Sequence, residues 1–419
     1  FLEGQSIFAF GGGGGRGSGG SDTPIMFFSR RIGLTEEGED PIRVGGRVTG
    51  RAGLYRIGAL NIQTRGVEDN LLIPATNFSV LRVRRDVLRR SDVGVIATYR
   101  NTSFTEGAGS NSVFGFDGNF TFFQSLQVNG YYAMSRTDLD QGGTTGDDNS
   151  SYTGKLDFAG DRYGLILEHL YVGEQFEPEL GFLRREDFRR SLFQGRFSPR
   201  PQFIEAIRRF VWQGDFDYVT DPGGRLETRT AQALFRIEFE NADQARVEYA
   251  NNFEFLPEEF EISDGVILPV GGYNFQDVLF GYTFGPQQPL PSSINYRTGS
   301  FYDGDRDALD FDARIEISPK FSVEPRLSLN WVDLPEGSFD TRLVSARVTY
   351  GFSPRMFLSS FIQYNSRSDS VSASARFRWE YEPGSDLFVV YSEGREELSN
   401  DPFLANRTVA VKFTKLFRF

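Results

Sequence analysis

With 39% hydrophobic and 15% aromatic side chains, the 419 residues hold apolar surface for a wall but too little aliphatic content for a soluble core of that size. No run of 18 apolar residues occurs, which excludes a membrane-crossing helix, and the absence of Cys excludes disulfides, zinc–thiolate sites and thiol nucleophiles. The net charge of −12 comes from residues 211–419, because residues 1–210 balance 25 basic against 25 acidic groups; no basic stripe marks a nucleic-acid partner.

The chain opens at Phe1 with neither a basic nor an apolar leader, which reads as a mature or truncated product. Residues 1–23 include the glycine tract Gly11–Gly20, costly to order and lacking the Lys of a phosphate loop. They read as a tether to another domain or a segment tucked into a lumen. From residue 24 onward the chain reads as one domain, 24–419, built of strands.

Period-two alternation is the signal for that domain. The pattern is clearest in 309–318, where Leu309, Phe311, Ala313, Ile315 and Ile317 alternate with Asp310, Asp312, Arg314, Glu316 and Ser318. The next strand sets Phe321, Val323, Leu327, Leu329 and Trp331 against Lys320, Glu324, Arg326 and Asn330. In 371–381, Phe377, Trp379 and Tyr381 share a face opposite Arg376, Arg378 and Glu380. Such strands, about 10–13 residues long, match a tilted membrane strand rather than the shorter globular average. The last of them, 407–419, ends in Phe419 and resembles the C-terminal recognition signal of bacterial outer-membrane proteins. Long loops should alternate with short turns, external and periplasmic respectively. The expected fold is therefore all-β: a transmembrane antiparallel up-and-down outer-membrane β-barrel of about 22 strands (range 18–22), its first strand starting at residue 24.

The first half also resembles a bacterial outer-membrane family. The matching stretches are FLEG (Phe1–Gly4), FSRRIG (Phe28–Gly33), GGRVTGRAGLYRIGALNIQT (Gly45–Thr64), PATNFSVLRVRRDVL (Pro74–Leu88) and PELGFLRREDFRR (Pro178–Arg190). Full-length members of that family join an N-terminal domain, like carbohydrate-binding module family 9, to a barrel of unknown function. The resemblance implies a barrel whose carbohydrate link lies in another domain, and it brings no catalytic residues.

Candidate chemistry is sparse. Arginines recur in pairs, at 30/31, 84/85, 89/90, 184/185, 189/190 and 208/209. Arg82, Arg84, Arg184, Arg189, Arg376 and Arg378 are the candidates for a lumenal wall binding anionic groups, since guanidinium suits bidentate oxyanion recognition. Structural pairing with lumenal carboxylates is the competing reading. His169 shares its alternation face with Tyr163, Leu165, Leu167 and Tyr171, which places it toward lipid rather than in a catalytic triad. The acidic run Asp303–Asp307 lacks the Gly and Glu positions of a calcium loop, so neither a metal nor a cofactor is expected.

The leading functional expectation is a channel, transporter or docking pore in the bacterial outer membrane. It would pass a glycan-related solute and work with a periplasmic domain or envelope protein partner, in contact with lipid and lipopolysaccharide. The alternatives are a surface carbohydrate-active hydrolase using mouth carboxylates and a structural scaffold of an envelope complex.

Overall fold

Alternating strands can bury their backbone groups in a membrane only if each pairs on both edges, and closure of the sheet meets that demand. The computed structural model describes residues 5–11, 22–35, 38–66, 74–102, 109–139, 146–398 and 401–416. Its strands form a closed barrel of 22 strand segments, with sequence neighbours paired along the wall. The ladders between consecutive strands, for example Gly109–Phe122 with Leu126–Leu139, are antiparallel. Two of the segments, Gly304–Ala313 and Ile315–Ser318, lie in line on either side of Arg314 and pair with the same strand, Phe321–Leu334.

The wall begins at Ile42, not at residue 24. Residues 24–32 instead make one antiparallel bridge, Ile25 to Phe182, and a 3-10 turn at Ser29–Arg31. Met26 there is 2% exposed and Ile32 9%. A stretch held by a single bridge, with Met26 and Ile32 buried among protein, is not a paired strand of the wall. The tract 12–20, Phe1–Gly4 and Phe419 lie outside the described residues.

By contact the chain divides into two units, Phe1–Arg196 with Asp215–Arg229, and Phe197–Gly214 with Thr230–Phe419. In the second unit the register follows the alternation. Asp310 faces Ser328 and Asp312 faces Arg326 on one side, while Leu309 faces Leu329 and Phe311 faces Leu327 on the other. The apolar row stays exposed where lipid would cover it, with Ile315 at 39%, Trp331 at 45% and Trp379 at 44%. Within the long connection after Gln244–Leu256, a small hairpin (Phe260–Ser263 with Val266–Leu268) packs on Leu256, Tyr273, Tyr302, Val332 and Leu334. At the opposite strand ends, Asp243 accepts bonds from the Gly285 amide (2.7 Å) and the Tyr282 hydroxyl (2.9 Å). These donors, the Gly285 amide foremost, hold the Asp243 carboxyl below its usual range.

In the first unit the same rule sorts side chains to two faces. Tyr55, Ile57, Leu81, Val93, Val95, Phe114 and Phe116 form an exposed apolar side. The opposite positions carry Arg56, Arg82, Arg84, Asp92, Arg100 and Asp117. An Arg at the bilayer midplane on the lipid side of a barrel costs roughly 2–4 kcal/mol, so the charged side faces inward. A closed sheet, apolar outside and charged inside, belongs in lipid. The chain is an integral barrel of the bacterial outer membrane.

Candidate functional site

The inward face of the first unit is not left to solvent. Residues 5–11, a 3-10 turn (Gln5–Phe8) followed by Ala9–Gly11, lie against strands Tyr55–Thr64, Asn77–Leu88, Gly109–Phe122 and Leu126–Leu139. Inward glycines make the space. A Cβ on Gly58 would meet Ile7 and Phe8 at 2.8–3.0 Å, and one on Gly115 would meet the Phe10 ring at 2.6 Å. Phe10 itself is 8% exposed and packs on Tyr131 with ring centroids 5.4 Å apart.

At the centre is an ion pair sealed from solvent. Arg82 is 0% exposed and donates both terminal nitrogens to Asp117, at 2.7 and 2.8 Å. Its Nε donates to the Ala9 carbonyl (3.1 Å), and its guanidinium lies 5.2 Å from the centroid of the Phe10 ring. Asp117 accepts a further bond from the Gly11 amide (3.1 Å). The two charges therefore clasp the N-terminal segment from both sides by its backbone. Gly94 completes the arrangement, since a Cβ there would strike the Arg82 guanidinium at 2.5 Å.

A second layer closes the same face toward the long-loop ends of the strands. The connection 173–187 folds inward. Its Glu179 accepts from Arg100 (3.0 Å), and both side chains are 2% exposed. Arg100 also lies over the Phe78 ring at 5.7 Å. Asn111 donates to the Glu177 carbonyl (2.9 Å), and Ser135 Oγ accepts from the Glu177 amide (2.9 Å) while donating to the Gln175 carbonyl (3.2 Å). Phe176 and Leu180 fill the space beneath, at 1% and 0% exposure. Residues 25–28 then bind this loop through their backbones: Ile25 to Phe182 (3.0 Å), Phe182 to Ile25 (2.8 Å) and Phe28 to Leu180 (2.7 Å).

The six candidate arginines separate on these coordinates. Arg82 is the clasp. Arg84 is bonded to Asp92 by Nε and a terminal nitrogen at 2.7–3.1 Å, and Arg378 donates to Asp386 (3.1 Å). Arg376 shares the face of Arg378 and is exposed. Arg184 is exposed in the 173–187 connection. Arg189 does not face the lumen. Phe188 (0% exposed) and Arg190, bonded to Asp217 at 2.6 Å, take the inward positions, so alternation turns Arg189 outward over the Tyr171 ring at 5.5 Å. The doublets 84/85 and 189/190 thus split across the wall instead of lining it together. The inward member of 84/85 and of 189/190 is held by a carboxylate.

His169 sits where alternation places it, on the outer side. Its Nδ1 is 3.0 Å from Ser191 Oγ, and its ring is 6.3 Å from that of Tyr152. No carboxylate or amide orients the other ring nitrogen among the described residues, so the pair lacks the third member of a nucleophilic triad. Sequence reasoning missed the partners of the clasp, Asp117 and the backbone of residues 9–11. The one available signal was the run of inward glycines, Gly58, Gly94 and Gly115, on nearby strands.

No family model and no curated protein matches the chain. Among solved structures, the ferric-catecholate import receptor Fiu from E. coli K12, in its open form, aligns over 89% of this chain and 74% of its own, at 6% identity and a TM-score of 0.40. The copper transporter OprC aligns over 88% of this chain and 70% of its own, at 9% identity and a TM-score of 0.37.

Proposed function

We propose that the protein is a gated outer-membrane pore in which residues 5–11 act as a latched inner plug. The observation that carries this reading is the Arg82–Asp117 pair, spent on backbone groups of the chain's own N-terminal segment rather than left open to a solute. Charged groups buried this deeply gain little net stability for the wall, because desolvation offsets their attraction. A latch gives them a use: the segment is held tightly, yet by few groups, so a competing partner could release it.

The solute belongs to the leading expectation: glycan-related, delivered with a periplasmic domain or envelope partner. The resemblance of the first half to barrels carrying a carbohydrate-binding module family 9-like domain supports that choice. A carboxylate hydrolase and a scaffold are the competing readings, and neither predicts conductance. Planar-bilayer recording of the purified chain decides among them. The wild type should be nearly closed, and Asp117→Ala should raise open conductance at least about tenfold, given the cost of stranding Arg82. Identical, negligible conductance in both would overturn the pore reading.

A further inference from the structure

The outward face of the first unit carries a feature the pore does not use. Between strands Asn77–Leu88 and Leu126–Leu139 runs a groove of about 680 Å³, lined almost wholly by apolar groups. Its floor dips at Gly130, which stands at an outward position, the Phe120 ring lies over Gly118, and Phe116 and Tyr132, stacked 5.7 Å apart, form one bank. Arg85 stands at one end. Its guanidinium lies 5.4 Å from the centroid of the Tyr55 ring and makes no ion pair among the described residues. That separates it from the inward arginines nearby: Arg51, Arg56, Arg82 and Arg84 all meet Asp86, Asp92 or Asp117.

We infer that this groove is a binding site for one phospholipid, an acyl chain lying across Gly130 and against the Phe120 ring and the phosphodiester on Arg85. Three observations select that occupant. The groove is apolar and of ligand size. A cation without a carboxylate is placed at its rim on a face where lipid is the only solvent, and Arg binds phosphate oxygens bidentately. Arg85 also lies four residues before the two-residue turn Arg89–Arg90, toward the short-turn end of the strands, and short turns mark the periplasmic side. The lipid is therefore drawn from the periplasmic leaflet.

The test is native mass spectrometry of the full chain in non-ionic detergent, titrated with dioleoyl phosphatidylglycerol and, separately, with phosphate-free dioleoylglycerol. The wild type should retain one phosphatidylglycerol and no dioleoylglycerol. Arg85→Gln, which removes the charge, and Val95→Trp, which fills the groove from an exposed outward position, should each weaken retention about tenfold. Arg189→Gln, an outward arginine elsewhere on the wall, should retain it unchanged. Heat-shifted gel mobility reports folding of each variant. If Val95→Trp does not fold, Arg85→Gln compared across the two lipids decides alone. Equal retention by wild type and Arg85→Gln, or equal retention of the two lipids, would reduce the groove to ordinary annular contact and overturn the assignment.

Discussion

Asp117→Ala is expected to destabilise the barrel by about 3–5 kcal/mol, the cost of leaving a buried Arg without its counter-charge. Arg82 is fully buried, and each nitrogen of its guanidinium donates one bond, to Asp117 or to the Ala9 carbonyl. Without Asp117 two charged donors lose their acceptors, and the Gly11 amide loses its own. The cost should be that of the stranded charge and not of the pair. Arg82→Met combined with Asp117→Leu should therefore recover most of the stability, since apolar groups of similar volume commonly replace a buried pair at little cost. Both variants should nevertheless free residues 5–11: the double variant keeps neither the donor to the Ala9 carbonyl nor the acceptor of the Gly11 amide, and the single variant loses that acceptor and leaves Arg82 without the carboxylate that holds it in place. Denaturant titration in lipid vesicles, followed by gel mobility, checks the first claim. A double variant as unstable as the single one would contradict it.

The second large effect is expected at Gly181, in the infolded connection. A Cβ built there would overlap the Ile25 carbonyl oxygen, a backbone atom that cannot swing aside as a side chain can. Gly181→Val should push residues 25–28 off the loop and break the reciprocal Ile25–Phe182 bonds. Overpacking of this kind costs about 1–3 kcal/mol, and each lost bond adds about 1 kcal/mol. The wall strands make none of these contacts, so barrel folding should survive while the inner layer loosens. Hydrogen exchange reads this directly: the Ile25 and Phe182 amides should lose protection, and amides of Gly109–Phe122 should keep theirs. Unchanged protection at Ile25 would show that the loop accommodates the side chain.

The wall was legible because period two is enforced by cost. Leu309, Phe311, Leu327 and Leu329 face lipid, and Asp310, Asp312 and Arg326 cannot, so the pattern survives in the residues themselves. His169 falls on the face alternation assigns it for the same reason. The inner layer obeys no such rule. Met26 and Ile32 are buried among protein, so the stretch 24–32 carries the hydrophobicity of a strand without its geometry. The arginine doublets misled in the opposite way, because adjacency in sequence means opposite faces in a strand. Arg189 points away from Arg190, and Arg85 away from Arg84. The clasp itself joins Arg82 to Asp117 and to residues 9–11 across separations of 35 and 73 positions, for which a single sequence offers no periodicity.

Because the chain has no native Cys, one introduced thiol reports on the plug without background. Ala9→Cys places it in the clasped segment, half-buried, on the residue whose carbonyl receives Arg82. The measurement is its rate of reaction with a hydrophilic maleimide in the folded protein, against Ser353→Cys as an exposed standard. Residues 5–11 seated on Arg82 and Asp117 should make Ala9→Cys react at least about tenfold more slowly than the standard, and adding Asp117→Ala should bring the two rates together. Reaction of Ala9→Cys as fast as the standard while Asp117 is intact would contradict the latched plug.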